Sequence, residues 1–297
     1  MTITAIILIL ISTSLHAGWN LITKSGKPSP LFFLILTLST VILLMPFLLL
    51  NLSGMQTIPI KFWWLLLATG IFETMYYTGL AQAYRHGDIS LVYPLIRALP
   101  VLLVPLVCFI LGIGEPLTFE AVSGMVLIGI GCVMMPVKSF CTWHIRDYRG
   151  AALWWVIPSA LGTVGYTIVD SEAIRLLDID AFSVPANIIY SGFINIAILP
   201  WLILVIIFSS GWKSLKDYRG KKILRPMVAG AACCLSYMLI LASMKYVTNV
   251  SYVAGFRQLS IPLGVILGVI ILKEKVFFPR IVGSIIIVTG LVLTAVF

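Results

Sequence analysis

A chain of 297 residues in which 60% are hydrophobic and only 10% charged carries more apolar surface than a single soluble core can absorb, so composition excludes an ordinary water-soluble domain. The formal charge of +9 would suggest nucleic acid in a soluble protein, but here Lys and Arg cluster in short segments between apolar runs, as orientation in a membrane requires, and no nucleic-acid partner is implied. Cys108, Cys132, Cys233 and Cys234 fall inside apolar runs and Cys141 outside them, without CxxC or His-rich spacing, so we expect free thiols and no disulfide, metal or cofactor.

In chain order the apolar runs predict ten transmembrane helices at 3–22, 30–50, 62–84, 89–111, 117–136, 150–170, 182–208, 225–245, 250–272 and 277–296. Each is close to the ~20 residues that cross ~30 Å of hydrocarbon, and none alternates like a barrel strand. The fold class is therefore an all-α integral membrane protein. The first run has no basic leader and stays hydrophobic past Ala17, so it reads as a retained span rather than a signal peptide.

Polar residues inside these spans are the site candidates. His16, Asn20 and Lys24 recur every four residues and form one stripe on the first helix; they can line a path or hold neighbouring helices by hydrogen bonds. Glu73, with Thr74, Tyr76 and Tyr77 beside it, stands at the centre of the third span. It can couple protons, pair with an arginine or simply line a cavity. Arg97 lies within the fourth span, one turn after Tyr93, and Arg257 lies at the matching place in the ninth, next to Gln258. A charge at such depth costs ~3 kcal/mol on insertion scales, so these arginines should face the bundle interior or a watery cavity. Two guanidinium groups suit a carboxylate, phosphate or phosphonate bound through forked hydrogen bonds. The other reading has each arginine holding carbonyls freed by Pro94, Pro100, Pro105 or Pro262, or pairing with a structural acid. Asn187 and Asn195 in the seventh span carry the same two readings. Those prolines are expected to break the fourth and ninth helices where a cavity tolerates it. Gly124, Gly129, Gly131, Gly283 and Gly290 in the fifth and tenth spans suit close helix packing within the chain first and a homodimer contact second.

The basic residues choose an orientation. Connections after odd-numbered spans hold 15 Lys and Arg, against Lys61, Arg175 and Lys245 after even-numbered ones. This predicts cytoplasmic 137–149 and 209–224 loops, with both termini outside the plasma (inner) membrane. Trp63, Trp64, Trp154, Trp155 and Trp212 fall at span ends, as interfacial anchors do.

The chain also repeats itself. At an offset of about 160 residues Tyr77 meets Tyr237, Arg85 meets Lys245, Arg97 meets Arg257 and Leu99 meets Leu259; earlier, Gly18-Trp19-Asn20 lies over Gly165-Tyr166-Thr167. Five spans per half is odd, so the second half enters from the opposite face. The expected organisation is a first repeat at 1–136, a cytoplasmic linker at 137–149 and a second repeat at 150–297, arranged as a 5+5 inverted repeat around a central cavity.

The segments HAGWNLITK (16–24), YRHGDISLVYPLIR (84–97), Gly114-Glu115, SYVAGFRQLSIPLG (251–264) and Lys273-Glu274 resemble the EamA-type permeases of the drug/metabolite transporter superfamily. The resemblance covers nearly the whole chain and implies ten helices in two inverted five-helix repeats. It also implies a cavity lined by the first, third and fourth helices and their counterparts. The second Gly-Glu of the family pattern is Lys273-Glu274 here, and the first-helix carboxylate of the small drug-exporting relatives is absent.

A secondary transporter is the reading these features favour. No Gly-x-x-x-x-Gly-Lys-Ser/Thr loop binds nucleotide. No HExxH or GxSxG pattern supports an enzyme, and His16, His86 and His144 are scattered. The expected cargo is a small anionic or zwitterionic metabolite moved by alternating access. Export of neutral or cationic compounds is the alternative, and a non-transport assembly protein the weaker one. Substrate and lipid bilayer are the expected partners.

Overall fold

Each predicted span contains a helix in the computed structural model, which describes residues 2–24, 29–86, 89–134, 137, 139–141, 151–177, 181–209, 220–263, 266 and 277–296. The helices are α1 (Ile3–Lys24), α2 (Pro30–Leu49), α3 (Ile60–His86), α4 (Ile89–Leu111), α5 (Phe119–Met134), α6 (Ala151–Ala173), α7 (Ala186–Phe208), α8 (Leu224–Met244), α9 (Val250–Phe256) and α10 (Phe278–Val296). Strands are absent among the described residues. By length and composition α1, α2, α7 and α8 each suffice to cross a membrane. Most of the linker and of the basic 209–224 loop, with Lys273-Glu274, lies outside the described residues.

Local chemistry sets the helix ends. Ser29 accepts from the Phe32 amide at 3.1 Å ahead of Pro30, a proline at the first helical position, where its missing N–H costs nothing. Asn249 caps α9 by accepting from the Ser251 amide at 2.9 Å. Of the two breaks expected at prolines, one is absent and one is present. The fourth helix runs unbroken from Ile89 to Leu111 through three prolines. The ninth is interrupted: α9 stops at Phe256, a 3₁₀ turn occupies Arg257–Leu259, and residues 260–263 are helical again. Pro262 explains the second case, since it has no N–H to give the Gln258 carbonyl and its ring crowds that oxygen.

The outward surface is apolar. Ile7 and Ile11 on α1, Leu38 and Ile42 on α2, and Ile281 and Ile285 on α10 are all exposed at helical spacing. The charged residues Glu73, Arg97, Asp170 and Arg257 are buried instead. That inversion of the soluble pattern is what a hydrocarbon solvent selects.

Packing follows pairs. α3 lies on α6, α1 on α8, α5 on α10 and α2 on α7, with α2 also touching α8 and α3 touching α7. Replacing each helix by the one five places along returns the same pairs. Small residues make the two tightest seams. A Cβ at Gly162 would stand 2.5 Å from the Phe72 carbonyl oxygen of α3, and one at Gly124 would stand 2.6 Å from the Gly290 carbonyl of α10. The glycines of the fifth and tenth spans are thus used inside the chain.

Candidate functional site

Among the described residues a polar space lies near mid-bundle. Glu73 is the middle residue of the 27-residue α3, and Tyr76 and Tyr77, three and four residues on, share its side of the helix. α1 contributes His16 and Trp19, α6 Tyr166, α7 Asn195, α8 Cys233, Ser236 and Tyr237, and the turn after α9 Arg257. About 40 Å³ of this cavity admits the centre of a water molecule, room for a few waters.

Arg257 reaches the cavity because the 3₁₀ turn ends α9 beneath it. Its Nη2 donates to the Tyr166 hydroxyl at 3.3 Å, and its guanidinium carbon sits 5.8 Å and 5.6 Å from the ring centroids of Tyr166 and Tyr237. Two aromatic rings therefore flank the cation. Glu73 shares the same walls but makes no hydrogen bond or ion pair among the described residues. Of the three readings of Glu73, the one that pairs it with an arginine, Arg97, finds no ion pair among the described residues.

His16 accepts at Nδ1 from the Trp19 indole N–H at 3.1 Å, so the neutral ring carries its proton on Nε2. That Nε2 is buried and has no hydrogen-bond partner among the described residues. Asn20 departs from the stripe reading: its amide donates to the His16 carbonyl at 2.8 Å, folds back on its own helix and takes no part in the cavity wall. Lys24 and Tyr93 belong to α1 and α4, but their side chains lie outside the described residues. Gln258 is buried behind the cavity, donating to the Ala254 carbonyl at 2.8 Å.

Arg97 is buried outside the cavity wall. Its Nη2 donates to the Ser260 hydroxyl at 3.2 Å, and Ser260 donates onward to the Arg257 carbonyl at 2.8 Å. One serine thus joins the two arginine positions. The matched arginines converge on the same region without sharing one forked site.

Sequence reasoning missed Asp170. It is fully buried and accepts from Thr69 at 2.6 Å, from the Tyr190 hydroxyl at 2.7 Å and from the Tyr237 hydroxyl. By hydropathy the sixth span ends at 170, so Asp170-Ser171-Glu172 looks like the start of a polar turn. α6 in fact continues to Ala173, with Glu172 paired to Arg175 at 3.6 Å near its end. The one available signal was spacing: Asp170 follows Tyr166 by four residues, on the helix face that reaches the cavity.

A helical bundle with an apolar exterior, and with Glu73 and Arg257 on an internal cavity, has the build of an integral membrane protein. Residues 3–136 match the model of the EamA-like transporter family, which belongs to the drug/metabolite transporter superfamily. The match covers less than half of the chain. No curated protein matches the chain significantly. Among solved structures, one described as "Crystal structure of protein" superposes with a TM-score of 0.67 at 15% identity, covering 98% of this chain and 97% of that one. That likeness speaks to the fold alone.

Proposed function

We propose that the protein is a secondary transporter in which a 5+5 inverted repeat carries a small zwitterionic metabolite, or a small anionic one, through the central cavity by alternating access. The exchange symmetry of the helix pairs supports the repeat. The observation that carries the substrate class is that Arg257 and Glu73 line one cavity without pairing with each other. Opposite charges left apart across one cavity suit a ligand that brings both of its own: a carboxylate or phosphonate for the guanidinium, an ammonium for the carboxylate. An anion alone would leave Glu73 buried without compensation. A cation alone meets Arg257 on the faces of Tyr166 and Tyr237 that would otherwise receive it.

Glu73 is also the residue we assign to proton coupling, since an unpaired buried carboxylate can be neutralised either by a ligand or by a proton. The test is counterflow uptake in proteoliposomes with small zwitterions, monoanions and amines compared on the same preparation. Zwitterion uptake that falls by about tenfold or more in both Arg257→Gln and Glu73→Gln supports the reading. Amine uptake that survives Arg257→Gln unchanged hands the site to the neutral or cationic exporter alternative.

A further inference from the structure

We infer that Asp170 is a specificity-determining residue of this transport site, acting at one remove through Tyr237 on Arg257; the inference rests on the transporter reading above. Asp170 does not line the cavity. It lies behind Tyr237, whose hydroxyl donates to its Oδ2 while the ring of the same tyrosine faces the Arg257 guanidinium at 5.6 Å. The other carboxylate oxygen takes Thr69 and Tyr190. Four helices, α3, α6, α7 and α8, therefore meet at one carboxylate, and only the α8 arm continues to the cavity.

Two consequences follow from that geometry. The hydrogen bond holds the Tyr237 ring in one orientation, and with it the aromatic face against which Arg257 rests. The Asp170 charge, buried and without a cation at ion-pair distance among the described residues, offsets Arg257 across the ring. Arg257 is then partly neutralised before any substrate arrives, and Glu73 remains the uncompensated charge on the wall. Such a site prefers a ligand carrying an ammonium beside its anionic group over one that is an anion only. Removing the Asp170 charge reverses the preference.

Three variants separate this role from a structural one. Asp170→Asn deletes the charge and keeps an acceptor. Tyr237→Phe keeps the ring and the charge but cuts the link between them. Tyr190→Phe removes a donor from Asp170 on the arm that does not reach the cavity. The measurement is the ratio of apparent affinities for a zwitterion and for its deaminated monoanion, with the melting temperature read on the same samples. Asp170→Asn should move the ratio toward the anion by about tenfold. Tyr237→Phe should move it the same way by less, and Tyr190→Phe should lower the melting temperature with the ratio unchanged. If Asp170→Asn does not fold, Tyr237→Phe against Tyr190→Phe decides the matter alone. Equal ratios in those two, or a wild-type ratio in Asp170→Asn, overturn the inference and leave the transporter reading standing. A wild-type protein that discriminates among none of the compounds sinks that reading and this inference with it.

Discussion

At the scale of single residues, the useful distinction is between polar groups that are satisfied and polar groups that are left over. Ser12 and Ser236 are satisfied: each hydroxyl donates to the other residue's carbonyl, at 2.7 Å and 3.0 Å, and the two oxygens lie 3.0 Å apart across the α1–α8 contact. Interhelical hydrogen bonds in lipid average ~0.6 kcal/mol, so Ser12→Ala should cost about 1 kcal/mol for the set. It should lower the melting temperature in detergent while leaving substrate affinity alone. His16 Nε2 is left over, and its orientation depends on the Trp19 indole. Trp19→Phe removes that donor and frees the ring to turn. Here we expect the reverse split: affinity falls several-fold, and heteronuclear NMR of the imidazole nitrogens shows a changed tautomer mixture. An unchanged tautomer would remove Trp19 from any role in setting the site. Sequence alone located Glu73, His16 and Arg257 because a charge or imidazole inside an apolar run is conspicuous. It could not locate Asp170, since hydropathy ends a span at the first polar cluster and has no means of knowing that three hydroxyls, on α3, α7 and α8, wait for that carboxylate. Nor could it separate the matched arginines, one facing the cavity and the other committed to Ser260.

Helices were far more legible than side-chain roles. In hydrocarbon the backbone must satisfy itself, so length and apolarity nearly determine where a helix lies, and the predicted limits fall within a few residues of those observed. The exceptions are instructive. Three prolines in α4 left the helix intact, while the ninth helix, which contains Pro262, is interrupted by a 3₁₀ turn at Arg257–Leu259. Proline content alone does not reveal which freed carbonyls find other partners. Glycines, by contrast, mark seams reliably when they face another backbone. Gly124→Val puts its branched side chain where the Thr294 hydroxyl and the Gly290 carbonyl already stand, at 2.3 Å and 2.6 Å from the first added carbon. Overpacking of that kind costs about 1–3 kcal/mol and must push α5 away from α10. The expected readout is a lower melting temperature together with faster proteolysis of the detergent-solubilised protein. Ser123→Ala, one residue earlier on the same helix and only half-buried, is the control and should be near neutral.

Over the whole molecule, the two halves are stitched together at one end. Where α4 gives way to α5, Gly114 adopts a φ of +77°, and a Cβ there would meet the Thr248 carbonyl at 2.9 Å. Next to it the Glu115 amide donates to the Thr248 carbonyl at 3.2 Å, and the Asn249 side chain donates to the Glu115 carbonyl at 2.9 Å. At the same end Asn51 accepts from both the Ser183 amide and hydroxyl, at 2.6 Å and 2.9 Å. These contacts all join the first half of the chain to the second, so a cavity that opens toward this end must part them. Peptide groups bonded as Glu115 and Thr248 are bring their Cα atoms into the range a disulfide spans. Cysteines at both positions, in a Cys141→Ser background to remove the exposed native thiol, should therefore cross-link on mild oxidation. Transport should stop as the cross-link forms and return on reduction, with substrate binding from the other face retained. Full cross-linking with undiminished transport would mean that this end never opens, and alternating access through the seam between the halves would have to be abandoned.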